Sequence, residues 1–180
     1  MKSSIRRGTT SGLVLLLVLI AIARVPTAAS AASAGEQIVM QVPNIPGSST
    51  LRDHSGWIDV LSFAGSAVAP TSVSGAPPCQ MVVQKPLDIA SPHLWVATVT
   101  GQIFGTNTPI RIQLIKPGPG SPFVLYDIQL ENAQFTSIGD SGSNALPLET
   151  LTFKATRVIL TFNTQNPNGT TTPTTTSFAC

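Results

Sequence analysis

The chain has 180 residues, with ten Lys or Arg against eight Asp or Glu, and charged residues make up only 10% of it. Its first 31 residues are typical of a secretory leader, because Lys2, Arg6 and Arg7 precede an apolar run that small residues follow. Without the leader, six basic residues remain against eight acids, a net charge of −2. This balance excludes a surface built for nucleic acid or anionic membrane, since such binding draws on clustered Lys and Arg.

The chain that remains after cleavage at Ala31 or Ala34 is predicted to be one exported domain with a tail. The apolar run of the leader is shorter than the roughly 20 residues that cross a bilayer, so we expect its removal and a periplasmic or secreted protein without membrane contact. Residues 36–162 show no break in composition. Residues 163–180 are mostly Thr, Asn, Gln, Gly and Pro, which predicts a flexible tail.

The first half of the domain shows strand patterns around one long loop. Strands are predicted at 39–42, 57–63 and 79–85. The two faces of 57–63 are both largely apolar, so we expect this strand to be covered on both sides or to lie in a closed barrel whose outside is packed. Asp59 could then be buried, in a structural hydrogen bond or ion pair. Residues 64–78 contain three prolines and two glycines and are predicted to be a long loop, which in compact domains is usually functional or mobile.

A single helix is predicted from Ser91, as N-cap, to a stop at Gly101. The spacing of the apolar residues predicts a side that packs on a sheet, formed by Leu94, Trp95, Thr98 and Val99. Trp95 is interpreted as a core residue or an anchor between subunits.

The second half of the domain alternates between apolar and polar residues. Strands are predicted at 110–115, 124–131, 149–153 and 158–162. The whole chain therefore predicts a mainly β domain of about seven strands with one α-helix. A small β-barrel or closed sandwich with the helix alongside would leave the fewest open edges.

Cys79 and Cys180 are the only cysteines. An exported protein meets an oxidising compartment, so a disulfide between them is a candidate. It would fasten the last residue to the domain. Cys180 could also pair between subunits or stay free.

The sequence offers little material for catalysis or metal binding. His54 and His93 are the only histidines, and both have structural interpretations, in a polar turn and in the first helical turn. The acids are scattered, and no Gly-rich phosphate loop precedes the helix. We therefore expect no enzyme activity, no metal and no cofactor.

Several segments in order make residues 38–162 similar to one family, the haemolysin-coregulated (Hcp) tube proteins of type VI secretion systems. The segments are Ile45-Pro46-Gly47, His54 to Phe63, Lys85-Pro86-Leu87-Asp88, Ala90-Ser91-Pro92, the strand around Tyr126, and Glu149 before Leu151 and Phe153. The resemblance implies a β-barrel flanked by one helix, a homo-hexameric ring, and rings stacked into a tube through which effectors pass. Partners would be further copies of the chain and possible cargo, effectors or a spike protein.

The resemblance also implies roles for particular residues. In that family the loop after the second strand reaches the neighbouring ring, and 64–78 occupies the matching place, with candidate stacking residues Ala64, Val68, Pro70, Val73 and Pro77. Trp57 and Trp95 are candidates for the subunit interface or the core.

The sequence departs from the family pattern in its secretory leader, its uncharged loop and its Thr-rich end with a terminal Cys. Tube subunits are assembled in the cytoplasm, so the leader favours a second hypothesis, an exported Hcp-fold binding module that acts without a secretion apparatus. An extracellular hydrolase is the third class, with the weakest support.

Overall fold

The computed structural model of the chain describes residues 35–67, 79–105, 107–117, 122–142 and 146–180. These residues fall within one compact unit, Ala32–Cys180. They form eleven strands and one helix, which confirms the prediction of a mainly β fold with one helix. The elements are β1 (Gln37–Gln41), β2 (Ile58–Val60), β3 (Ser62–Ser66), β4 (Cys79–Pro86), α1 (Ser91–Val99), β5 (Ile103–Phe104), β6 (Ile110–Lys116), β7 (Phe123–Glu131), β8 (Ala133–Ser141), β9 (Leu148–Ala155), β10 (Arg157–Gln165) and β11 (Thr171–Ala179).

The strands form two antiparallel sheets. The large sheet has the order β11-β10-β7-β6-β1-β2 and the small sheet has the order β3-β4-β9-β8-β5. Between the described strands no ladder joins the two sheets, so they are not closed into a barrel. The predicted closed barrel of about seven strands is corrected in this respect. Alternation in a sequence shows which face of a strand is buried, whereas closure depends on which edges pair.

The predicted strand at 57–63 is two strands that belong to different sheets. Ile58 and Val60 are buried in β2, which pairs with β1, while β3 pairs with β4. Leu61, between them, is 52% exposed. Asp59 is exposed as well, so the expectation that it is buried is wrong. The run shows apolar residues on both faces because the chain crosses from one sheet to the other within it.

The core lies between the sheets and is tied together by aromatic contacts. Phe135 packs edge-to-face against Phe104 and Phe153, with ring centroids 5.6 and 5.3 Å apart. Such pairs are worth about 0.5–1.5 kcal/mol beyond their buried area. The three rings come from β5, β8 and β9, so these contacts pack neighbouring strands of the small sheet against one another.

The turn before β2 depends on a glycine. The N–H of Gly47 donates to the carbonyl of Gly56 at 2.8 Å, and the N–H of Ser49 donates to the carbonyl of Trp57 at 2.9 Å. A Cβ on Gly47 would lie 2.6 Å from Ile58 Cα and would also meet the Trp57 carbonyl. The turn therefore closes only because residue 47 has no side chain.

Helix α1 differs from its prediction at its start and in the side that packs. Its N-cap is Ala90, without a side-chain cap, rather than Ser91. Leu94 and Ala97 are buried, whereas Trp95 and Val99 face outward, so the predicted packing side is wrong in half of its members. Gly101, with φ of 66°, follows the helix as predicted. No helix in the described part of the chain is long and apolar enough to cross a membrane.

The C-terminal segment 163–180 is not the predicted flexible tail. It completes β10 and forms β11, which pairs with β10 from Arg157↔Ala179 to Gln165↔Thr171. All nine residues of β11 are exposed. The prediction failed because few apolar residues suggested disorder, whereas a strand at the edge of a sheet is held by backbone hydrogen bonds and Thr is a favourable strand residue.

Candidate assembly surface

A buried cluster of charged and polar side chains attaches the start of α1 to the small sheet. Lys85 Nζ lies 2.8 Å from Glu149 Oε2 and 2.8 Å from Asp88 Oδ1, and it donates to Ser91 Oγ at 3.0 Å. The side chains of Lys85 and Glu149 are fully buried, and that of Asp88 is 8% exposed. Removing one member of a buried pair leaves an uncompensated charge and costs about 3–5 kcal/mol. The cluster therefore fixes the helix in place.

The cluster brings three segments of the family resemblance into contact, because Lys85, Ser91 and Glu149 each belong to a different one. Ser91 Oγ also donates to Glu149 Oε2 at 3.2 Å and accepts from the N–H of Asp88 at 3.1 Å. Glu149 Oε1 is buried without a hydrogen-bond partner among the described residues. Lys85 and Glu149 are 64 positions apart, and no local pattern in the sequence indicates their contact.

The outward side of α1 carries several exposed apolar residues and no Asp, Glu, Lys or Arg. We call this surface the helix face, and it consists of Ile89, Trp95, Val96, Val99 and Ile103, which are 60, 40, 59, 75 and 62% exposed. The helix has no acidic residue in its first turn and no basic residue in its last. Val99 is three and four positions from Val96 and Trp95, so these helical side chains are neighbours. Exposed apolar patches mark protein interaction sites. The helix face is therefore the candidate assembly surface.

The two tryptophans occupy different environments. Trp95 lies at one side of the helix face, and its Nε1–H donates to Asp140 Oδ2 at 3.2 Å. Trp57 is half-buried and packs edge-to-face against His54, with ring centroids 4.7 Å apart. Trp95 is thus placed on the surface of the chain, and neither tryptophan is fully buried.

A second polar cluster lies on the large sheet around Asp127. Its Oδ1 accepts from Gln113 Nε2 at 2.9 Å, and its Oδ2 accepts from Gln129 Nε2 at 2.7 Å and from Arg111 Nη2 at 3.0 Å. Arg111 Nε adds a fourth contact at 3.3 Å. A carboxylate has about four acceptor positions, so this one is saturated. The cluster joins β6 to β7.

The two histidines lie in different environments. His54 Nε2 lies 2.7 Å from Gln113 Oε1, which joins this residue to the cluster on the large sheet. His93 is exposed on α1. Within the five described segments, no group of three or more His, Cys, Asp or Glu residues could hold a metal ion.

Of the five candidate stacking residues, only Ala64 is among the described residues. Ala64 is exposed in β3, so the strand extends further than predicted and the connection to β4 begins later. Val68, Pro70, Val73 and Pro77 lie outside the described residues. The stacking role of 64–78 stays a prediction.

The structure places Cys79 and Cys180 together within one chain. Their sulfur atoms are bonded and their Cα atoms are 5.3 Å apart. The bond joins β4 of the small sheet to the residue after β11 of the large sheet. The N–H of Cys180 also donates to the carbonyl of Thr156 at 2.8 Å. The end of the chain is therefore attached to both sheets.

These features define a small, mainly β protein with one helix at its side and an apolar surface suited to protein contacts. A family model described as "Type VI secretion system effector, Hcp" matches residues 39–162, more than half of the chain. The chain therefore belongs to the Hcp family of type VI secretion proteins, as the resemblance in its sequence indicated.

Solved structures share the fold of this chain. Hcp1 from Salmonella typhimurium superposes with a TM-score of 0.65 at 18% identity, over 81% of this chain and 94% of that one. A type six secretion system protein gives 0.65 at 21% identity, over 79% and 94%. A type VI secretion system effector from Yersinia pestis gives 0.63 at 19% identity, over 79% and 99%. At these identities the likeness shows the fold alone. No curated protein matches the sequence.

Proposed function

We propose that this chain assembles into hexameric rings that stack into a tube for the passage of secreted effectors. Membership of the Hcp family, whose members are tube proteins, supports self-association in general. The observation that carries the proposal to this chain is the helix face, where four aliphatic side chains on or beside the helix are each at least 59% exposed. Burying them against another copy would remove apolar area from water.

A closed ring needs two different surfaces that complement each other. The helix face would be one of them. For the other we propose a groove of about 610 Å³ beside β1 and β2, which is lined by apolar residues such as Ile38 and Leu61 and by charged residues such as Arg52 and Asp59. Stable interfaces bury about 800 Å² on each partner, so the contact would have to extend beyond the helix face itself.

Light scattering of the purified protein after size-exclusion chromatography tests the ring. We expect the mass of six subunits for the wild type and of one subunit for Val96→Glu, because a carboxylate cannot be buried unpaired in an apolar contact. Thr164→Glu adds the same charge at an exposed position of β10 and is expected to stay hexameric. A wild type that remains monomeric at high concentration, or a Val96→Glu variant that still forms rings, contradicts the proposal.

We propose no enzymatic role. The family is one of structural, secreted tube proteins, and the histidine and carboxylate with most contacts, His54 and Asp127, serve one structural cluster. Generic ester and amide substrates should be hydrolysed at the same background rate by wild type and His54→Ala. A clear loss of hydrolysis in the variant would reveal a missed active site.

An exported binding module is the second candidate function. The intramolecular contact of Cys79 with Cys180 favours it, because disulfides persist in oxidising compartments. Together with the leader predicted over residues 1–31, it supports a periplasmic or secreted location. Fractionation of cells that lack a type VI apparatus separates the two candidates. Monomeric protein outside the cytoplasm of such cells would favour the binding module, whereas retention inside the cells would favour the tube subunit.

A further inference from the structure

The two sheets separate at one end and leave an apolar cavity between them. The cavity has a volume of about 270 Å³. It lies between β11, β10 and β7 of the large sheet and β3, β4 and β9 of the small sheet. Because β11 and β3 are both edge strands, the cavity is located where the barrel predicted from the sequence would have to close.

The side chains around this cavity are almost entirely apolar. Phe63, Met81 and Phe153 come from the small sheet, and Ile128, Leu160 and Phe178 come from the large sheet. The cavity is only partly enclosed, and most of its lining offers no hydrogen-bond partner to water, which needs two to four. The lining therefore favours an apolar occupant.

The disulfide lies next to the part of the cavity that β11 of the large sheet lines. Phe178 belongs to β11, an edge strand with all nine residues exposed, and Cys180 follows two positions later. Cys79, its partner, also lines the cavity. The covalent bond spans the two sheets at the boundary of the cavity, so it limits how far they can separate.

We propose that this cavity is a binding site for a small apolar molecule, of the class of a medium-length hydrocarbon chain or a fused aromatic ring. The volume is close to twice the roughly 150 Å³ of an engineered apolar cavity that binds benzene. The cavity is bounded by β3 and β11, which are edge strands of different sheets. A ligand that enters between them breaks no described ladder of backbone hydrogen bonds. Tyr126, Ser66 and Gln80 are polar residues among the lining and can orient the polar end of an amphiphile.

The first experiment measures binding to the purified full chain with two probes, N-phenyl-1-naphthylamine by its fluorescence and decanoate by competition. We expect saturable binding at one site per chain, and displacement of the dye by decanoate. Ala155→Leu places additional methyl groups inside the cavity and should weaken dye binding about tenfold or more. Ala64→Leu makes the same change at an exposed position of β3 outside the cavity and should bind like the wild type.

Thermal stability distinguishes a filled cavity from a damaged fold. Ala155→Leu is expected to keep or raise the Tm, because it fills space that is empty in the free protein. No saturable binding by the wild type overturns the proposal, as does equal binding by Ala155→Leu.

A second measurement uses the wild-type protein, so it tests the site even if Ala155→Leu does not fold. With isotope-labelled methionine methyl groups, decanoate should shift the NMR signal of Met81, which lines the cavity, and leave that of Met40, buried in β1, unchanged. A shift of Met40 alone, or of neither signal, contradicts the site. Because Val96→Glu alters only the helix face, it should bind both probes like the wild type, which separates this site from the assembly surface.

Discussion

The helix region and the C-terminal hairpin lie on the outside of the fold and are attached to it by different forces. Helix α1 is held at its start by Lys85 and Glu149, whose side chains are fully buried. The hairpin of β10 and β11 is held by a backbone ladder and by the bond between Cys79 and Cys180. The first attachment therefore depends on buried charge, whereas the second depends on the redox state of two sulfur atoms.

The largest expected effect is on the helix region. Lys85→Met removes the only cation that contacts Glu149 among the described residues and leaves that carboxylate and Asp88 without it. We expect the free energy of unfolding to fall by about 3–5 kcal/mol, measured by urea denaturation. Lys154→Met, at an exposed position of β9, is the control and should change the free energy of unfolding by less than about 0.5 kcal/mol. Equal effects of the two substitutions would contradict the role of the cluster.

The next effect is on the hairpin. The disulfide joins residues 101 positions apart, and its removal by Cys79→Ser with Cys180→Ser should lower the free energy of unfolding by about 2–4 kcal/mol. Amide hydrogen exchange should then increase most in β11, because every residue of this edge strand is exposed to solvent. Exchange in α1 serves as the internal control and should stay slow. An increase that is uniform over both regions would show that the bond does not act locally.

A smaller effect is expected at the hydroxyl that connects the helix to the cluster. Ser91→Ala removes the bonds of Oγ with Lys85, with Glu149 and with the N–H of Asp88. Hydrogen bonds to charged groups contribute about 1.5–3 kcal/mol, and we expect a loss near the lower value in urea denaturation, because Lys85 keeps its two carboxylates. Ser62→Ala, at an exposed strand position, is the control. A loss as large as that of Lys85→Met would mean that the hydroxyl, rather than the charge, holds the helix.

The same contrast shows which parts of the fold could be predicted from the sequence. The alternation in β4, β6 and β7 predicted their places closely, because one face of each strand is buried. β8 was missed since its second half, from Ser137 to Ser141, is mostly exposed and its pairing with β9 shifts register after Phe135. β11 was missed because its partner supplies backbone hydrogen bonds, which leave no apolar pattern in the sequence.

The candidate site could be predicted only in part. The sequence indicated a helix after Ala90, but Leu94, Trp95, Val96 and Val99 are all apolar, so the spacing did not distinguish the buried side from the exposed one. The contact of Lys85 with Glu149 joins distant parts of the chain and needed the tertiary structure. The two cysteines were the exception, because their number limited the intramolecular pairing to one choice.

The smallest expected effect concerns Tyr126, which packs against Phe162 of the hairpin with ring centroids 6.4 Å apart. Burial raises the pKa of the Tyr126 phenol above its ordinary value of 10.0, because the charged phenolate is poorly solvated there. The pKa is higher in the folded state than in the unfolded state, so the stabilisation is complete below pH 10.0 and is lost as the pH rises through the folded pKa.

Tyr126→Phe removes this contribution, and the stability of the variant should therefore decline less than that of the wild type in the alkaline range. Tyr126 is the single tyrosine of the chain, so ultraviolet absorbance of the phenolate follows it directly. Identical alkaline stability curves for the two proteins, with an unshifted titration, would show that the ring is solvated and that this side of the hairpin is open.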